Sequence, residues 1–108
     1  MLYIEGTTIR MTRGDTVYLT VPLTSKTEVY EMAQDDTLTL SVKKALRDTE
    51  YKFQKVSTGS NEFHIEPADT AELAFGKYFY DVQLNTGNGD VFTVIPTSTI
   101  ELLSEVTH

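Results

Sequence analysis

The chain has two histidines, His64 and His108, whose side chains could carry acid–base or metal chemistry. The chain has no cysteine, which excludes disulfides, thiolate catalysis and cysteine-based zinc sites. His64 alternates with Phe63 and Ile65, so a strand there would point its imidazole toward solvent. The second histidine, His108, is the last residue, and no GxSxG-like nucleophile element accompanies either of them. The histidines therefore predict neither a metal centre nor a catalytic triad.

Two pairs of aspartates, Asp35 with Asp36 and Asp81 with Asp90, supply the oxygen ligands that calcium prefers. Neither pair has the dense carboxylate spacing of a dedicated calcium loop. Paired acids can also hydrolyse glycosides, although nothing in the sequence sets two of them face to face. We therefore predict a protein that is not an enzyme and has no catalytic, metal or cofactor residues, with a small hydrolase as a third hypothesis.

The net charge and two short motifs bear on which classes of partner the chain could bind. The net charge of −7 disfavours nucleic acid and membrane partners, which attract lysine and arginine. Lys43, Lys44 and Arg47 form only a small basic cluster, typical of a solvated strand end. Residues Arg13–Asp15 match the integrin tripeptide Arg-Gly-Asp, but a glycine turn before a strand explains them without a receptor.

Aromatic residues give the best indication of a site. Phe79 stands on the polar side of an alternating strand, next to Asp81, and Tyr18, Tyr30 and Tyr51 are also expected to be partly exposed. Exposed rings are enriched at the centres of protein interfaces. The alternative for Phe79 is packing against a cross-strand neighbour. These four aromatic residues are the candidate interface residues.

Short strands must position these side chains. Apolar residues alternate with polar ones in most segments between turn signals, which predicts strands with one buried face. Pro22 marks a sheet edge, and the polar stretch 24–36 predicts a connection with one weak element around Val29–Met32. The predicted strands in the first two thirds of the chain are Thr8–Met11, Thr16–Leu23, Thr37–Val42, Tyr51–Val56 and Glu62–Glu66.

A short helical turn is predicted near residues 69–74. Asp69 is a suitable N-cap, Glu72 completes a box-like arrangement, and Leu73 is the expected anchor into the core. Gly76 is expected to end the helix.

The remaining sequence predicts a hairpin and a last strand. Lys77–Leu84 forms a strand whose apolar set is Tyr78, Tyr80, Val82 and Leu84. Asn88-Gly89 is a strong hairpin signal. A returning strand follows at Asp90–Ile95, Pro96 breaks it, and Thr99–Leu103 forms the final strand.

These elements predict an all-β fold in a single domain spanning residues 1–108. Seven to nine short antiparallel strands at this spacing favour an immunoglobulin-like β-sandwich, with a small open barrel as the alternative. The first residues lack the basic start and apolar run of a signal peptide, and no apolar stretch approaches the roughly 18 residues of a membrane span. We therefore expect a soluble domain, and the absence of cysteine fits a reducing cytosol, with a cysteine-free secreted protein as the alternative.

Two motifs carry a resemblance to a known family. The first is Pro67-x-Asp69-Thr70-x-x-Leu73-x-x-Gly76-x-Tyr78-x-Tyr80-Asp81-Val82-x-Leu84, followed by Gly89-Asp90-Val91-x-Thr93. The second is Ile9-x-Met11-x-Arg13-Gly14-Asp15-Thr16 before an alternating strand. Together they resemble small β-sandwich domains of Gram-positive phage and prophage structural proteins, such as the N-terminal domain of upper-baseplate proteins and related tail or head-fibre components.

The resemblance implies a non-enzymatic structural or assembly module. Such a module is made in the bacterial cytoplasm, carried in the virion, and works through contacts with other phage structural proteins, with a homo-oligomer as one form. The motif residues are structural, and the family supplies no catalytic residues to transfer. The alternative function is a carbohydrate-binding or adhesin-like sandwich that stacks sugars on exposed tyrosines.

Overall fold

Short strands with one buried and one exposed face build almost all of the molecule. The computed structural model describes residues 2–5 as backbone, and residues 8–23 and 32–104 in full. This part of the chain contains one helical element, and the predicted all-β class is confirmed. The elements are β1 (Leu2–Glu5), β2 (Thr8–Thr12), β3 (Val17–Thr20), β4 (Thr37–Lys43), β5 (Phe53–Thr58), β6 (Glu62–Ile65), α1 (Pro67–Thr70), β7 (Gly76–Asn85) and β8 (Val91–Leu103).

The strands form a large and a small sheet. The large sheet has the order β1-β2-β8-β7-β4-β5, and β3 pairs with β6 in the small one. Strands β2 and β8 run parallel, from the Ile9–Ile100 pair to the Thr12–Leu103 pair, whereas the other neighbours are antiparallel. The prediction of antiparallel strands throughout is therefore wrong at this pair. Alternation decides which face of a strand is buried, but it does not encode the direction of the neighbouring strand.

One hydrophobic cluster joins the buried side chains of both sheets. The predicted inner face of β7 is confirmed, because all four of its apolar residues are at most 5% exposed. Burying each such side chain contributes roughly 1.5–3 kcal/mol to stability. The predicted inner faces of the earlier strands are buried in the same cluster: Val17, Leu19, Val21, Leu23, Leu38, Leu40, Val42, Phe63 and Ile65.

The helical turn lies three residues earlier than predicted. Its N-cap is Glu66, and Asp69 occupies the third helical position, where its carboxylate accepts a hydrogen bond from Glu66 N at 2.8 Å. The capping box therefore joins Glu66 and Asp69 rather than Asp69 and Glu72, because Pro67 suits the first helical position. Leu73 packs against the core as predicted. Gly76 does not end the helix but begins β7, with a φ of 121° that disfavours other residues.

The Asn88-Gly89 hairpin is confirmed, and it joins β7 to β8. The predicted break at Pro96 is wrong, because β8 continues through it as a single strand. The register moves from the Tyr80–Ser98 pair to the Val82–Ile95 pair, so two residues of β8 oppose one residue of β7. Because the bulge interrupts the pairing at Pro96, the ladder needs no hydrogen bond from a proline N–H there. Strands commonly accommodate proline at such bulges.

Other element boundaries also differ from the prediction. Strand β1 was not predicted, and β5 begins at Phe53 rather than Tyr51, which lies in the preceding turn. The weak element predicted at 29–32 falls almost entirely outside the described residues.

A buried carboxylate ties two loops together. Asp36 is only 3% exposed, and its two oxygens accept hydrogen bonds from Ala33 N at 3.0 Å and from Gly87 N at 3.1 Å. The close approach requires glycine, because a Cβ at Gly87 would lie 2.8 Å from Asp35 Cβ. Asp36 thus fixes the β7–β8 hairpin to the segment before β4.

Replacing Asp36 with asparagine should destabilise the fold. The amide keeps the shape but turns one acceptor into a donor facing a backbone N–H, so we expect a loss of about 1.5–3 kcal/mol. Urea unfolding followed by circular dichroism measures this loss. Asp35→Asn, at an exposed neighbour, is the matched control and should change stability by less than about 0.5 kcal/mol. Equal stability of the two variants would contradict the bridging role of Asp36.

Burial of the Tyr80 hydroxyl makes the stability of the fold depend on pH in the alkaline range. Burial raises the pKa of its hydroxyl above the ordinary value, and the hydrogen bond with Ser98 offsets part of that rise. The neutral phenol is therefore favoured in the folded state. Its contribution to stability is complete below the unfolded pKa of about 10 and is lost as pH rises through the higher folded value.

Tyr80→Phe should therefore weaken the alkaline dependence of stability. Between about pH 8 and about pH 11 the wild type should lose more free energy of unfolding than the variant, because only the wild type has this buried phenol to ionise. Urea midpoints across this range provide the measurement, with Tyr51→Phe as a half-exposed control that should follow the wild type. Parallel curves for wild type and Tyr80→Phe would refute the linkage.

Candidate interaction surface

A small hollow lies on the outer face of the large sheet, where β4, β7, β8 and the β4–β5 turn meet. It has a volume of about 130 Å³, well below the roughly 300–1,000 Å³ of a typical small-molecule site. It is lined by Ser41, Lys43, Leu46, Tyr51, Phe79, Tyr80, Asp81 and Thr97. We call it the outer-face hollow. Its size suits one inserted side chain better than a whole small molecule.

Alternation along β4 and β7 positions the polar lining. Ser41 lies opposite Asp81 and Lys43 lies opposite Phe79 in the register, and all four alternate with buried neighbours. Ser41 Oγ accepts a hydrogen bond from Gln54 Nε2 at 2.8 Å. One acid and one base thus stand diagonally on the same face, beside two rings.

Both basic residues at the end of β4 contact aromatic rings. Lys43 Nζ lies 5.0 Å from the centroid of the Tyr51 ring, and Lys44 Nζ lies 4.5 Å from that of Tyr78. Lys44 Nζ also donates to Lys77 O at 3.1 Å. These ammonium groups are held by cation–π contacts, worth about 0.5–1 kcal/mol at exposed sites, rather than simply solvated as predicted.

The predicted interface residues separate into two places. Phe79 and Tyr51 both line the outer-face hollow, with Phe79 half-buried and Tyr51 49% exposed. Tyr18 is 60% exposed on β3 of the small sheet. Tyr30 lies outside the described residues. The structure thus brings together two of the four candidates.

His64 is exposed on β6, as its alternation predicts. Its ring stacks on Tyr18, its cross-strand partner, with centroids 4.5 Å apart and an interplanar angle of 11°. Within the described residues, no three histidine, aspartate or glutamate side chains lie close enough together to hold a metal ion. His108 lies outside that part of the chain.

The candidate acids divide between two places: Asp35, Asp36 and Asp90 line one hollow beside the β7–β8 hairpin, whereas Asp81 lines the outer-face hollow. The Asp36 carboxylate is buried against backbone N–H groups while Asp35 is exposed. Asp81 lies in the middle of β7, whereas Asp90 lies in the turn beyond the end of that strand. Asp81 and Asp90 therefore do not share a site.

The Arg-Gly-Asp turn packs against the segment that follows α1. The Arg13 side chain donates to Leu73 O at 3.1 Å, and its guanidinium carbon lies 4.0 Å from the centroid of the Phe75 ring. Gly14 N donates to the buried Thr70 hydroxyl at 2.8 Å. This turn thus has a structural role, and no local pattern in the sequence indicates its long-range partners.

Several lining residues of the outer-face hollow escaped prediction. Ser41 and Lys43 could have been placed on the outer face from the alternation of β4. Leu46 lies in the turn after β4, where no alternation pattern indicates its exposure of 62%. Thr97 lies two residues before Thr99, the partner of outward-facing Phe79, but the predicted break at Pro96 leaves it outside both predicted strands.

Comparisons with known proteins found no similar protein. No family model, no curated protein and no solved structure matches this chain. Among the described residues, no helix is long and apolar enough to span a membrane.

Arg13→Met should destabilise the fold, because methionine keeps the apolar stem but loses the hydrogen bond to Leu73 and the cation over Phe75. We expect a cost of about 1–3 kcal/mol, measured as a lower urea midpoint. Arg47→Met, at an exposed turn position, is the control and should stay within about 0.5 kcal/mol of wild type. If Arg13→Met behaved like the control, the turn would have no structural role.

Proposed function

We propose that this chain is a non-enzymatic structural or assembly module of a phage or prophage particle, in its baseplate, tail or head fibre. It is made in the bacterial cytoplasm and acts through protein–protein contacts with other structural proteins or with further copies of itself. One observation carries this proposal furthest: Phe79 and Tyr51 meet at one solvent-facing hollow. Exposed rings beside apolar and polar neighbours are typical of interface centres.

The proposal includes an immunoglobulin-like sandwich as the scaffold. The support for it is that buried residues of the small and large sheets belong to one cluster. Such a scaffold leaves the outer face of the large sheet available for a partner. Leu46 and Val56 are 62% and 63% exposed in the turn after β4 and on β5, next to β4. Leu46 lines the hollow, and Val56 adds an exposed apolar side chain outside it.

A carbohydrate-binding module is the second candidate. The specific observation in its favour is that two rings share the hollow with the polar side chains of Ser41, Asp81 and Thr97. Its volume of about 130 Å³ is small for a sugar site. We therefore place the protein-contact function first.

Replacing Phe79 with aspartate should reduce self-association, because a second carboxylate beside Asp81 would add charge to the apolar centre of the contact. Light scattering over a range of protein concentrations measures the solution mass of wild type and variant. Tyr18→Asp, on the small sheet, is the matched control and should leave the mass unchanged. A wild type that stays monomeric at high concentration, with the same mass for Phe79→Asp, would count against self-association through this hollow.

A further inference from the structure

We propose that the outer-face hollow receives an arginine side chain of a partner protein, with Asp81 as its counter-ion and with Phe79 and Tyr51 as its aromatic walls. This inference rests on the proposed function and specifies the chemistry of the partner.

The first observation is the state of Asp81. It lies in the centre of β7, half-buried, between Phe79 and Gln83 on the outer face. Its carboxylate makes no hydrogen bond or ion pair with the residues that the structure describes, although most other polar groups around the hollow are engaged. A half-buried carboxylate with no partner among the described residues can accept charge-assisted hydrogen bonds from an incoming cation.

The second observation is the bulge in β8. Pro96 and Thr97 both lie opposite Asp81, between the Tyr80–Ser98 and Val82–Ile95 pairs. Pro96 has no N–H to donate, and Ser98 Oγ donates to Pro96 O at 2.8 Å. Bulges re-aim side chains and interrupt pairing. Here the interruption coincides with Asp81, and Thr97 forms a wall of the hollow.

The third observation is that the aromatic wall already holds a cation. Lys43 Nζ lies over the Tyr51 ring at 5.0 Å, so the face of this ring is positioned to contact a cation. Lys43 is the one basic residue in the lining, and its long side chain can swing into solvent when another cation enters. A guanidinium is favoured over an ammonium because it is planar, stacks on rings and binds carboxylates in a bidentate manner.

The overall charge supports the same sign of partner. At −7, the chain attracts basic surfaces and repels acidic ones at long range. Charge complementarity therefore favours a basic segment of the partner over an acidic one for this hollow.

The test is an NMR titration of the isotope-labelled protein with the acetylated tripeptide amide Leu-Arg-Leu. Its matched control carries citrulline, the neutral isostere, in place of arginine. We expect saturable shifts at the amides of Ser41, Phe79 and Thr97, and binding at least about tenfold weaker for the citrulline peptide. Asp81→Asn should reduce binding of the arginine peptide to the citrulline level. Asp90→Asn, at an exposed hairpin position, should leave it unchanged, and Lys43→Gln should strengthen it by removing the competing cation.

Three results would overturn the inference. These are the absence of saturable shifts with the arginine peptide, equal affinity for both peptides, and arginine binding that survives Asp81→Asn. Shifts of the same amides with N-acetylglucosamine but not with the peptide would assign the hollow to sugars and overturn it as well. If Phe79→Asp lowers the solution mass while Asp81→Asn leaves peptide binding intact, the protein-contact function stands and the arginine chemistry fails.

Discussion

Burial of one face of β7 is the constraint on which the other features depend. This strand lies between β8 and β4, and its four inner residues are part of the hydrophobic cluster. Because side chains alternate along a strand, that burial forces Phe79 and Asp81 outward, and a slip of one residue would exchange the two faces. The outer-face hollow therefore follows from core packing, because Phe79 and Asp81 must face outward when their neighbours on β7 are buried.

The sequence predicts what is local. The alternation of β7, the outward direction of His64 and the Asn88-Gly89 turn all follow from neighbouring residues, and the structure agrees with each. Contacts between distant segments are a different matter. The Asp36–Gly87 bridge joins residues 51 positions apart, and no pattern near Asp36 announces a buried backbone acceptor. The same holds for the contact between Gly14 and Thr70, 56 positions apart.

For the candidate site, too, the sequence predicts individual residues but not which of them lie close together. Phe79 and Tyr51 were each selected as exposed rings, but their meeting depends on β4 lying between β5 and β7. Alternation cannot supply this order, because it says nothing about which strands are neighbours. The bulge illustrates the limit further. A proline inside a strand pattern usually indicates a break, whereas here a shift in register absorbs one extra residue of β8 and the strand continues.

The parallel β2–β8 pair also sets an order of events during synthesis. Arg10 and Glu101, which face each other in this pair, are 91 residues apart in the chain. On a ribosome β2 emerges early, yet its neighbour emerges only after β3 to β7 have been made. The β2–β8 pairing must therefore form late. Because it joins residues far apart in the chain, it requires the closure of a long loop, and such contacts form slowly. Until then β2 carries an edge that another nascent chain could pair with, so the protein is most vulnerable to misassembly while it is being translated.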